Sequence, residues 1–200
     1  MEGSTIKGYN PYDVMSALQK SVRRGMEEEA LFWAFEFAES GLIKIPLARL
    51  KVMAHEDIGT GDMTSAMFAI KAIEDTQEWY PTNGAWRLSF TNAVLALCRA
   101  NKSRDSDNAQ AAILYRRRTG QNLEIPDYAF DKHTRTGKKM GRGVDHFCDE
   151  ATILDKDTSS EKYKDEARKG FKYDSRETPL FVLRRRSEES GGLGKYFNGD

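Results

Sequence analysis

The sequence predicts an all-α protein, on two observations. One helix-length segment after another carries apolar residues at three- and four-residue spacing, and the segments are bracketed by N-cap and terminator residues. No comparable run of strand-like alternation interrupts them over the first hundred and twenty residues. Within "NPYDVMSALQKSVRRG", Asn10 is the N-cap, Pro11 the first helical residue, Val14, Leu18 and Val22 one stripe, and Gly25 the stop. "MEEEALFWAFEFAESG" follows, with three glutamates in its first turn, where the helix dipole favours them, and Gly41 at its end. Leu31, Phe32, Phe35 and Ala38 fall at helical spacing and predict its buried face. The dense aromatic run reads as core packing, part of it lining a subunit interface. A third helix is expected over Leu47 to Ile58 and a fourth over Thr64 to Trp79, ending before Gly59 and Pro81 respectively. "GAWRLSFTNAVLALCRA" is the most apolar and is expected to lie centrally. A sixth helix runs from Asp105 to Arg118.

From Gln121 onward glycine and charge rise, periodicity weakens and the elements shorten. "SSEKYKDEARKGF" predicts one more amphipathic helix, and "TPLFVLRRR" a short strand or extended clip. The pattern divides the chain into a helical domain over 10–131, a basic, glycine-containing connector and extension over 132–186, and a flexible tail over 187–200.

Basic and acidic residues number 31 each, so no global field draws the protein to nucleic acid, and any attraction must come from local clustering. Cys98 lies in an apolar helical pattern and Cys148 follows an aromatic, which suggests reduced thiols and not a disulfide framework. With no signal pattern and no membrane-length apolar run, a soluble, cytoplasmic protein is expected.

Three stretches taken in order, "SALQKSVRRGMEEEALFWAFEFAESG" (Ser16 to Gly41), "ARLKVMAHEDIGTGD" (Ala48 to Asp62) and "NAVLALCRANKSRDSDNAQAA" (Asn92 to Ala112), are joined by "IPDYAFD" as a proline-led turn. Together they resemble the C-terminal helical region of the RarA/MgsA/Werner-helicase-interacting AAA+ ATPase family, over Asp13 to Asp131. The resemblance implies a multi-helix, clamp-loader-collar-like domain with a less regular C-terminal extension. It also implies a homo-oligomer acting in DNA replication, recombination or repair. No G-x-x-x-x-G-K-[ST] occurs, and "GTGDMT" has the glycines but no lysine, so no nucleotide cofactor and no catalytic residue is expected. The expectation is a stand-alone domain that either joins a separately encoded AAA+ ATPase or is a bacterial or phage accessory factor. Beyond Asp131 the family pattern fits poorly.

A local basic excess suggests contact with single-stranded or forked DNA. Between Arg116 and Arg142 stand eight cations against Glu124, Asp127 and Asp131, with Tyr115, Tyr128 and Phe130 interleaved. The candidates are Arg116, Arg117, Arg118, Arg135, Lys138, Lys139 and Arg142, with "KSVRRG" (Lys20 to Gly25) and Arg184 to Arg186 as extensions. "HTRTGKKMGRGVDHF" (His133 to Phe147) reads as a glycine-loosened connector whose cations meet phosphate. The alternative is a metal-dependent hydrolase built on His55, Asp57, His133 and His146. Against it, Glu56 and Asp57 are expected to pair with basic neighbours such as Arg49 or Lys20. His146 and Cys148 lie two apart, where side chains diverge on a helix, so no nucleophile–base pair is expected.

Overall fold

A computed structural model of the chain describes residues 3–175. The expected clip at "TPLFVLRRR", the basic extension at Arg184 to Arg186 and the tail over 187–200 lie outside these residues. Among the described residues there are helices, turns and loops and no strand. They form two compact units, divided between Asn122 and Leu123.

The first unit is built from six long helices: α1 (Pro11–Arg24), α2 (Glu27–Glu39), α3 (Lys44–Met53), α4 (Met63–Trp79), α5 (Trp86–Arg99) and α6 (Asp105–Arg118). Their ends follow local chemistry. Asn10 accepts the Tyr12 N–H through its side chain, and Gly25 at φ 69° lets its own N–H and that of Met26 turn back onto α1 carbonyls. Asp62 caps α4 by accepting both the N–H and the hydroxyl of Ser65, which holds its carboxyl below the usual range. Lys102 caps α5 from beyond its end, with Nζ donating to the carbonyls of Leu97, Cys98 and Ala100, and desolvation lowers its pKa.

The central position expected for α5 is the observed one: it packs against α1, α2, α3 and α4. Phe90, Val94 and Leu97 from α5 meet Leu18, Val22, Leu47, Leu50 and Ile73 in one core. Where α4 and α5 face each other, the buried hydroxyls of Thr76 and Ser89 lie 2.8 Å apart. Cys98 is buried here, and burial pushes its thiol up to about 11.

Two expectations are corrected. The face that α2 buries is Ala30, Ala34, Phe37 and Ala38; Phe32 is 43% exposed, and Leu31 and Phe35 are only half-buried. An element apolar on nearly every side gives spacing no power to choose a face. The third helix begins earlier than expected, at Lys44, and its final turn over Ala54–Ile58 widens to a π-helix before a 3-10 turn at Gly59–Gly61. That turn supports the α5–α6 junction, for a Cβ on Gly61 would lie 2.7 Å from Ser103 Cβ.

The second unit consists of short elements: a 3-10 turn at Asp127–Ala129, α7 (Arg135–Lys139), α8 (Val144–His146) running into a π-turn at Phe147–Ala151, a 3-10 turn at Glu161–Tyr163, and α9 (Lys164–Ser175). The amphipathic helix expected from "SSEKYKDEARKGF" is therefore present.

Gly61→Ala should destabilise the first unit by about 1–3 kcal/mol, the cost of overpacking a tight contact. Thermal unfolding measures it, and an unchanged midpoint would show that the junction yields freely.

Candidate functional site

Two groups of charged residues meet the sequence expectations, one in each unit. In the first unit the π-turn presents Glu56 and Asp57. Asp57 is 2% exposed, and its Oδ1 accepts from Arg23 Nε at 2.7 Å and Arg104 Nη1 at 3.2 Å. Glu56 Oε1 accepts from Arg23 Nη2 at 2.9 Å and lies 3.4 Å from Arg104 Nη2, while Arg49 Nη2 is 3.9 Å from Glu56 Oε2. The backbone joins in, since Ser103 N–H donates to the Asp57 carbonyl at 2.9 Å. A buried carboxylate is tolerable only with such partners. The pairing expected with Arg49 is present and secondary; Lys20 instead donates to Ser16. Arg23 and Arg104 take the leading part.

This network bears on the hydrolase alternative. Asp57 is committed to two guanidinium groups, His55 is exposed, and His133 stacks edge-on against Phe147 with centroids 5.3 Å apart. Among the described residues no group of three His, Cys, Asp or Glu is placed to hold a metal ion. Both ring nitrogens of His146 are buried and accept or donate no hydrogen bond within the described protein.

The next element, α6, begins where Arg104 engages both Asp57 and Asp107. It packs on the turns at 54–61, yet none of its residues is buried. Ile113, Leu114 and Tyr115 are 51%, 41% and 69% exposed, and Arg116, Arg117 and Arg118 follow in the last turn, where cations suit the dipole. These three arginines form no ion pair with a described residue.

In the second unit the segment His133 to Phe147 is not a loosened connector. Thr134 caps α7 by accepting the Gly137 N–H at 3.0 Å, and Gly141 at φ 72° ends it, with the N–H groups of Gly141 and Arg142 returning to the carbonyls of Lys138 and Gly137. Gly137 is fixed by packing: a Cβ there would sit 1.9 Å from the Asp131 carbonyl oxygen. Two of the three glycines thus secure the fold here.

Arg142, one of the cations expected to meet phosphate, is engaged within the protein. Its Nη1 donates to the carbonyls of Asp127 and Phe130 at 2.5 and 3.0 Å, and its Nη2 to both Asp127 carboxylate oxygens at 2.5 Å. The guanidinium plugs the 127–130 turn and has no fork left for another anion. Lys132 is spent similarly, its Nζ 4.8 Å from the Phe147 ring centroid and 5.6 Å from that of Phe171. Arg135, Lys138 and Lys139 remain, all exposed on α7 and none ion-paired with a described residue. Elsewhere in this unit hydrogen bonds from Lys172 and Arg168 lower the pKa of Asp145, and Arg168 lowers that of Asp149. Those ion pairs bind α9 to the 144–151 segment. No described helix is long and apolar enough to cross a membrane.

The model of the family described as MgsA AAA+ ATPase C terminal matches residues 26–182. The match continues past Asp131, so the basic segment that the sequence pattern set outside the resemblance belongs to the matched region. The chain is similar to the Replication-associated recombination protein A of Bacillus subtilis (strain 168), 32% identical over 136 residues, which cover 68% of this chain and 32% of that protein. The protein of the same name from Escherichia coli (strain K12) is 30% identical over 141 residues, 70% of this chain and 31% of that one. The ATPase WRNIP1 of Dictyostelium discoideum is 29% identical over 140 residues, 68% of this chain and 15% of that protein. The chain therefore spans about a third of the length of the bacterial relatives that it matches.

Arg142→Ala should open the 127–142 segment, costing about 1–3 kcal/mol for a charged donor and its abandoned acceptors. Amide hydrogen exchange at Phe130 and Thr134 would then accelerate, whereas Lys138→Ala with Lys139→Ala should leave it unchanged. Slow exchange in the Arg142 variant would remove the plug from this account.

Proposed function

We infer the function of this chain from one established relation: it belongs to the MgsA AAA+ ATPase C-terminal family, and is thereby related to replication-associated recombination proteins. In this reading it is a non-catalytic helical module that self-associates and works with an AAA+ ATPase module. Its place is the cytoplasm, at DNA undergoing replication, recombination or repair.

The observation that carries self-association is α6. A helix of 14 residues gains most of its stability in a protein from packing, and isolated helices of this length are marginal. Here the helix buries no residue and presents Ile113, Leu114 and Tyr115 to solvent. A second copy would supply the apolar cover that the first unit does not. Exposed Met63, Met67 and Phe68 on α4 add apolar surface of the same kind.

DNA contact rests on cations left over after the internal pairs are formed. They are Arg116, Arg117 and Arg118 at the end of α6, and, separately, Arg135, Lys138 and Lys139 on α7. Point charges on exposed elements neutralise phosphates and release counterions without reading sequence. Tyr115 and Tyr128, 69% and 61% exposed, offer rings on which unpaired bases could stack.

Self-association is tested by sedimentation at micromolar concentration. The wild type should run well above its 22.7 kDa monomer mass, and Leu114→Asp with Tyr115→Asp should return it to monomer. A monomeric wild type would defeat the reading. For DNA, Arg135→Ala, Lys138→Ala and Lys139→Ala together should lower the salt slope of single-strand binding by up to about 2–3 units, at roughly 0.7–0.9 per phosphate contact. Arg142 is kept, so that the fold survives. An unchanged slope and affinity would leave α7 as a solvated helix.

A further inference from the structure

We propose that a cleft on the N-terminal half of α2 is a docking site for an arginine side chain carried by an extended segment of another protein. The cleft measures about 300 Å³ and is lined by Glu28, Glu29, Phe32 and Trp33. Helix geometry builds it, because Glu28 lies one turn from Phe32, and Glu29 one turn from Trp33. Two carboxylates thus stand beside two aromatic rings. The rings of Phe32 and Trp33 meet at 87° with centroids 4.8 Å apart, forming two perpendicular walls.

The Trp33 wall is held in place without any ligand. Tyr9 abuts it edge-on at 5.4 Å, and the loop that carries Tyr9 is pinned to α2. Lys7 N–H donates to Glu36 Oε1 at 2.9 Å and Ile6 N–H to Ser40 Oγ at 2.9 Å, with Glu36 itself 2% exposed. A wall fixed in advance loses little entropy when a ligand arrives.

The chemistry of the cleft selects a cation. Aromatic faces carry negative potential and attract cations, and neighbouring carboxylates can hydrogen-bond the same charged group. Glu27, in the same turn, is already engaged by Arg99 through bonds of 2.8 and 2.9 Å. Glu28 and Glu29 form no ion pair with a described residue. The helix dipole accounts for acidic residues in a first turn, but not for half-exposed rings placed one turn further on. Among cations a guanidinium fits best: it stacks flat on a ring while its N–H fork reaches a carboxylate, which a compact ammonium cannot do. Among the described residues a guanidinium already lies over a ring, with Arg87 Cζ 4.6 Å from the Trp86 ring centroid. The cleft is open along the helix and does not enclose a small molecule, so a side chain presented by an extended peptide suits its shape. This inference is independent of self-association and of DNA contact.

The test uses an acetylated, amidated pentapeptide, Gly-Ser-Arg-Ser-Gly, titrated into the full chain. The readout is the indole N–H resonances of the three tryptophans, with Trp33 assigned from Trp33→Phe. The Trp33 resonance should shift and saturate. The same peptide with neutral citrulline should give no saturable shift. Glu28→Gln with Glu29→Gln should weaken binding by about tenfold or more, and Phe32→Ala by roughly threefold, both with unchanged helical circular dichroism. Equal response to the citrulline peptide, or no response in the wild type, overturns the proposal. So does a wild type deaf to the peptide whose sedimentation falls to monomer in the Glu28→Gln, Glu29→Gln variant; that result assigns the cleft to a second copy.

Discussion

The first unit depends on the Asp57 carboxylate. It is buried at the end of α3, where the helix widens to a π-turn, and a charge in that position requires partners from outside the helix. Arg23 brings α1 to it, Arg104 brings the start of α6, and Ser103 N–H donates to the same residue's carbonyl. One residue therefore ties three distant parts of the chain to a single point. The close seat of Ser103 over Gly61 is the steric counterpart, since only a residue without a side chain admits it. Glycines that resemble part of a phosphate loop in sequence are, in this fold, spacers for a helix–helix junction.

That junction determines where α6 goes. Arg104 pairs with Asp57 on one side and with Asp107, in the first turn of α6, on the other. The helix is thus fixed at its root and carries no buried residue along its length. Its composition allows this. Alanine, glutamine, leucine and arginine are strong helix formers, acids occupy the first turn and arginines the last. These features set where the helix begins and ends, but a helix of this length still gains most of its stability from packing, and Ile113, Leu114 and Tyr115 stay exposed on the first unit.

Much of this was legible in the sequence. Asn10, Pro11 and Gly25 mark both ends of α1 by local chemistry alone, and α6 has the bounds expected of it. Capping is decided within a few residues, so no knowledge of the fold is needed. What failed depended on distant contacts. The run Leu31 to Phe37 is apolar on all faces apart from Glu36, and which face turned inward was decided by α1 and α5. That Glu36 is buried could not be read from a pattern that puts glutamate outside; its partner is a backbone N–H in the loop before α1. Likewise nothing in "HTRTGKKMGRG" discloses that Gly137 lies against the Asp131 carbonyl or that Arg142 reaches back to Asp127.

The same distinction governs the charges. A count along the chain treats every cation between Arg116 and Arg142 alike, and yields a basic excess suited to phosphate. The structure separates them by what each guanidinium or ammonium already holds. Arg142 is consumed by one carboxylate and two carbonyls, and Lys132 by two aromatic rings. Of the cations from Lys132 to Arg142, Arg135, Lys138 and Lys139 on one short helix are exposed and ion-paired with no described residue. Because a counterion is released only where a phosphate meets an otherwise solvated cation, the salt slope of the proposed DNA contact would report these cations, whereas the internal clasps contribute to stability. Charge that folds the chain and charge that is left for a partner are thus separable by residue, even where they alternate within ten positions of sequence.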